Sequence, residues 1–237
     1  MVAGLLALAR CAGFVFRAPG FSHPSVPAPL RGGFALILAV LIAPTLSGAP
    51  RLNGGGFVAA FLVEFLLGSA IGMSASVVYD AAYAGGRIVD DYVGVKAIAP
   101  SAVLVAPSGF GRVWSLAFTG AFFLTGAYRL ILLGFAQSFV RIPLQSPLHA
   151  GAWASFAAGF AANFLAVAVQ VAAPALGFAF IVQIALGALS RVIPRFGTFT
   201  LAFPLAFAAA LIATAIVVPL AADHAPAPML GIPGVVK

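Results

Sequence analysis

The sequence predicts an all-α membrane protein of about six apolar helices arranged as helical hairpins. Three observations carry that prediction. Hydrophobic residues make up 63% of the 237-residue chain and charged residues 7%, with a mean hydropathy of +1.14. A soluble domain is nearer half apolar and a quarter charged, so this chain cannot cover itself with polar surface. Apolar runs long enough to span a bilayer, which takes ~20 residues, recur between short breaks marked by Pro, Gly or Arg. No succession of ten-residue stretches alternates apolar and polar with period two, the pattern of an outer-membrane barrel.

Residues 1–16 read as a short first helix. A signal peptide has positive charge first and then an uninterrupted apolar core; here the apolar run begins at once and Arg10 interrupts it. At 1.5 Å rise per residue this helix reaches about 24 Å. It therefore spans a thinned bilayer, or its true start lies upstream. The loop 17–31 carries Pro19, Pro24, Pro27 and Pro29 and reads as too rigid and polar for helix. The second helix covers 32–46 and the third 57–83. Residues 87–111 form a long connection with Pro100 and Pro107, and 113–135 the fourth helix. After a loop at 137–148, the apolar run 151–190 exceeds one span; Pro174 near its middle predicts a kink or a tight hairpin. The last helix is 199–222. The whole reads as one integral-membrane domain over 1–237, with a short proline-rich tail at 223–237.

The net charge of +7 comes from twelve basic residues dispersed singly against five acidic ones. Such dispersal points to loop-end arginines of a membrane protein and away from nucleic acid. The loops at 17–31, 87–112 and 191–195 hold most of the basic charge, which places them in the cytoplasm under a simple six-span reading. The single cysteine, Cys11, excludes an internal disulfide and a cysteine metal cluster. His23, His149 and His224 lie far apart in loops, and no zincin, CxxC, Walker or nucleophile-elbow pattern occurs. The sequence therefore argues against an enzyme and predicts no cofactor or metal.

A few polar residues stand out in this apolar chain. Glu64, Gly68 and Gly72 are spaced i, i+4, i+8 and stack on one helix face. The glycines let another backbone approach closely, which turns Glu64 into a packed interface. Glu64 reads as a polar clamp between helices or, more sharply, as a proton-linked carboxylate. Arg129, inside the fourth helix, either pairs with an acid such as Glu64 or Asp80 or snorkels to the boundary. Asn163, Gln170 and Gln183 dot the fifth segment as interhelical hydrogen-bonding groups or, alternatively, a polar pathway. Asp90 and Asp91, adjacent and without nearby histidines, read as a solvated turn rather than a metal site. Residues 95–107, VKAIAPSAVLVAP, are apolar yet broken by proline. Such a segment is buried by protein or lines a cavity, as a pore plug or as a re-entrant packing loop.

These residues, taken in order, resemble the FliR/SctT family of type III export-apparatus proteins, found in flagella and injectisomes. The stretch 10–31, with its Arg, its Pro-rich loop and Val26-Pro27, resembles the family's first helix and loop. Glu64-xxx-Gly68-xxx-Gly72 resembles its third-helix motif. Residues 86–94, GRIVDDYVG with Asp90 inside, resemble its Gly-Glu-Ile-Ile-Asp-x-Gln-x-Gly segment. Residues 185–205 resemble its ALG…R..PQ…F…FPL pattern through Gly187, Arg191, Pro194, Phe203, Pro204 and Leu205. The chain departs from the pattern at Arg87, Tyr92 and Arg195, and has Ala97 and Ile98 where some relatives carry plug aromatics.

The resemblance implies a non-enzymatic core subunit of an export gate in the bacterial inner membrane. It implies assembly with FliP/SctR-like and FliQ/SctS-like subunits, an FlhB/SctU-like switch protein and an FlhA/SctV-like protein, with unfolded exported proteins as substrates. It also assigns pore closure to the connector 94–107, through Gly94, Ala97, Ile98, Pro100, Val103, Leu104 and Pro107. A self-contained small-molecule transporter or channel is the alternative from another class; transporters often show duplicated halves, and no internal duplication is present.

Overall fold

The computed structural model describes residues 2–22, 26–46, 54–94, 109–145, 150–192 and 198–223. Among these the regular structure is all helix, with no strand. The helices are α1 (Val2–Arg17), α2 (Ala28–Ile42), α3 (Gly54–Val93), α4 (Gly109–Leu124), α5 (Ala127–Arg141), α6 (Ala150–Val192) and α7 (Thr198–Asp223), with a 3₁₀ turn at Ala43–Thr45. This is an all-α membrane protein. Ala28–Thr45, Gly54–Val93 and Gly151–Arg191 are each long and apolar enough to cross a membrane, and α4 and α5 meet the same criterion only when taken together across the break between them.

Four boundaries differ from the sequence-based expectation. Helix α2 begins inside the proline-rich stretch, because Pro29 falls in its first turn, where a missing N–H costs nothing. The third helix runs ten residues past 83, so that the segment with Asp90 and Asp91 is helix rather than solvated turn. The fourth helix is two, α4 and α5, separated at Thr125–Gly126. Gly126 sits at φ +73°, a left-handed conformation glycine adopts without steric cost. Pro174 makes no hairpin: α6 continues through it for 43 residues. Proline removes one backbone hydrogen bond, which a long helix survives where neighbouring groups compensate.

The chain divides into two compact units. The first comprises the described residues within 1–77 and 122–162. Within it α2 packs back against α1, and α1 lies on the N-terminal half of α3. Phe14 stacks on Phe135 of α5 at 4.1 Å, and Phe135 meets Phe139 edge-on at 5.5 Å. Leu6, Val15 and Ile131 of the same helices are buried as well. The second unit comprises 78–121 and 163–226. Its core joins Val89 and Val93 of α3, Phe110 of α4, Ala172, Ala175 and Ala179 of α6, and Ala206, Ala210 and Ala213 of α7. Alanines recurring every three or four residues leave a flat seam on each of α6 and α7, the small-residue packing that membrane helices use.

Candidate functional site

In the first unit, α1 and α3 touch backbone to backbone. A methyl group at Gly68 would collide with the Arg10 carbonyl, and one at Gly72 would sit 2.7 Å from the Phe14 carbonyl. From the other side, a methyl at Gly13 would strike the Phe65 carbonyl. Three glycines on facing helices thus set the closest approach.

That approach brings Arg10 and Glu64 together, both fully buried. Arg10 Nε donates to Glu64 Oε2 at 2.6 Å. Its Nη2 lies 2.6 Å from the same oxygen, a charge contact rather than a second hydrogen bond. The Nη1 group turns to the end of α5, donating to the carbonyls of Ser138 (3.2 Å) and Ile142 (2.9 Å). The end of a helix carries partial negative charge, so a guanidinium belongs there, even though the Ser138 carbonyl also accepts the Ile142 amide at 2.8 Å. The guanidinium carbon also lies 4.5 Å from the centre of the Phe139 ring. Glu64 Oε1 accepts the backbone N–H of Gln145 at 3.0 Å. One ion pair therefore ties α1, α3, the end of α5 and the turn after it. Arg10 reads in sequence as a mere interruption of the first helix. The signal that could have found it is the glutamate four residues before Gly68, which needs a buried cation.

In the second unit, Asp90 is buried at 1% exposure while Asp91 is exposed; neighbours on a helix point about 100° apart. Asp90 Oδ1 accepts the backbone N–H of Phe110 at 3.1 Å. Gly94, at φ +85°, ends α3 and donates to the Asp90 carbonyl at 3.1 Å. A methyl at Gly86 would meet the backbone of Phe110 and Gly111, so α3 and α4 also cross in backbone contact.

The remaining polar candidates are placed differently. Arg129 does not reach Glu64, whose cation is Arg10. It stands exposed in the first turn of α5, its Nε 3.3 Å from the Tyr128 hydroxyl. Asn163, Gln170 and Gln183 are exposed along α6; Gln183 Oε1 accepts the Tyr92 hydroxyl at 3.4 Å. Gly187 and Arg191 are exposed near the end of α6, and among the described residues a Gly187 methyl would meet nothing beyond its own helix within 4 Å. Pro204 and Leu205 are exposed on α7. Ala97, Ile98, Pro100, Val103, Leu104, Pro107 and Pro194, and the side chain of Phe203, lie outside the described residues.

Residues 1–229 match the family described as bacterial export proteins, family 1. The chain belongs to that family. It is 29% identical to the flagellar biosynthetic protein FliR of Bacillus subtilis over 216 residues, 88% of this chain and 83% of the relative. It is 29% identical to the Yop proteins translocation protein T of Yersinia pestis over 211 residues, 85% of this chain and 79% of the relative. FliR of Aquifex aeolicus is 26% identical over 221 residues, 91% and 85% of the two chains. The family match takes in both buried carboxylates, Glu64 and Asp90, with the helices that hold them.

Proposed function

We propose that this chain is a core, non-enzymatic subunit of a type III export gate, flagellar or injectisome. With FliP-like and FliQ-like subunits it forms the channel by which unfolded proteins cross the bacterial inner membrane. An FlhB-like switch protein and an FlhA-like protein complete the apparatus. The observation that carries this reading is the family match along almost the whole chain, with relatives named for flagellar biosynthesis and for Yop protein translocation. Exposed apolar side chains support it. Leu36, Ile37, Val40 and Leu41 on α2, and Val58, Leu62 and Leu66 on α3, are all more than half exposed, a surface suited to lipid or to apolar sister helices. In this reading the connector 94–107 closes the pore at rest, and Gly187, Arg191, Pro194, Phe203, Pro204 and Leu205 shape the junction of the last two helices.

Co-expression with FliP-like and FliQ-like subunits from the same genome tests the assignment. A tagged chain should draw out both in a stable detergent-resistant complex. A chain that purifies free of both, and on its own carries a small solute across vesicles, would instead be a self-contained transporter.

A further inference from the structure

We infer that the corner where the turn after α1 meets the α4–α5 break binds the phosphate of an anionic phospholipid, with Arg129 as its main ligand. Arg129 stands exposed in the first turn of α5. Its Nε donates to the Tyr128 hydroxyl at 3.3 Å, and its guanidinium carbon lies 5.7 Å from the centre of the Tyr128 ring. Tyr128 thus steadies the head of the side chain at the surface. Nη1 and Nη2 have no partner among the described residues. The planar fork of a guanidinium matches two oxygens of a phosphate.

The first unit offers this cation no acid. Neither 1–63 nor 92–222 contains an Asp or a Glu. The one acid of the unit, Glu64, is buried against Arg10 and also accepts the Gln145 amide. Arg17, the exposed last residue of α1, likewise makes no ion pair among the described residues. The counter-charge for this corner therefore comes from outside the unit.

The surroundings of the cations select a lipid over a soluble anion. Gly20, three residues after Arg17, sits at φ +79°, and a methyl on it would lie 2.6 Å from the Phe123 ring. The turn after α1 is thus pressed onto that ring. Phe123 in turn lies 6.0 Å from the Tyr128 ring, and Phe21 stacks on Phe34 of α2 at 4.6 Å. Leu124, at the end of α4, is 90% exposed, and Leu130, next to Arg129, is 58% exposed. An arginine resting on a tyrosine, with bare leucines on both sides, suits a membrane boundary: apolar groups enter the acyl region while the charged head stays with the phosphates. An acidic side chain of a partner protein would have to be desolvated among these leucines, which is costly; a headgroup phosphate stays wet.

The test is native mass spectrometry of the full chain in a mild neutral detergent, titrated with phosphatidylglycerol or phosphatidylcholine. The wild-type chain should hold phosphatidylglycerol about tenfold more tightly, the fold-change of one hydrogen-bonded charge contact. Arg129→Gln, a change at an exposed position, should bring the two lipids within about twofold of each other, and Arg129→Lys should keep most of the preference. Arg191→Gln, at an exposed arginine near the end of α6, is the control and should change nothing. No preference in the wild-type chain overturns the inference, and so does an undiminished preference in Arg129→Gln. Displacement of the lipid by an equal concentration of glycerol phosphate would make this a soluble-anion site and overturns it too. Loss of a co-purifying protein in Arg129→Glu, with phosphatidylglycerol retention unchanged, would give the corner to an acidic partner instead.

Discussion

Among the described residues of the first unit, Arg10 and Glu64 are the only fully buried charged side chains, and each uses its neighbours as well as its partner. A lone charge in such an interior is expensive, and breaking a buried pair by removing one member costs about 3–5 kcal/mol. Replacing both by apolar residues of similar volume costs far less, because no unpaired charge remains. Arg10→Met should therefore destabilise strongly, and Arg10→Met with Glu64→Met should recover much of the loss, measured as thermal unfolding in one detergent. Recovery should be incomplete: the Ile142 carbonyl and the Gln145 amide lose their side-chain partners in the double variant, while the Ser138 carbonyl keeps only the Ile142 amide. Equal destabilisation of single and double variants would show that these backbone contacts, not the ion pair, hold the site.

At the scale of the helices, the same glycine signal has two outcomes. Gly68 faces the Arg10 carbonyl directly, whereas Gly187 faces open space. Gly68→Ala should cost about 1–3 kcal/mol, as overpacking of a tight interior does, because the obstacle is backbone and cannot rotate away. Gly187→Ala should be neutral within about 0.5 kcal/mol in the isolated chain. Cys11 reports the first effect without unfolding measurements. It lies on α1 beside Arg10 and is fully buried, so a maleimide should label it slowly in the native protein and rapidly in Gly68→Val. Unchanged labelling would mean that α1 and α3 do not separate at this seam. The Glu64-Gly68-Gly72 spacing made the seam on α3 readable from sequence, since i, i+4, i+8 residues share a face whatever the fold. The partner helix was not readable, because Gly13 stands alone and Arg10 looks like a boundary residue. The ends of α3 and α4 were missed for a similar reason: an aspartate pair next to glycines reads as a turn, and only a donor twenty residues away explains its place inside a helix. Of the two outcomes that Pro174 allowed in the sequence, the hairpin is excluded because α6 runs on through it.

At the scale of the whole molecule, two lengths stand out. Helices α3 and α6 have 40 and 43 residues, about 60 and 65 Å at 1.5 Å per residue, twice the ~30 Å hydrocarbon core. Helices of that length extend beyond one span, and their exposed apolar residues need cover from lipid or from protein. Leu165, Val169, Phe178, Phe180, Ile181 and Ile184 of α6 are each about half exposed or more. A subunit of an oligomeric gate supplies that cover through its sisters; a self-contained transporter would have to supply it from its own chain. The two readings separate in vesicles. The chain alone should pass neither ions nor dye. The complex with FliP-like and FliQ-like subunits should be closed at rest, and deletion of residues 97–105 should open it to ions and small dyes while the complex stays assembled. An intact complex with unchanged leakage would remove the connector from pore closure. Solute-specific uptake by the chain alone would go further, because a gate built from several subunits has no path through one of them.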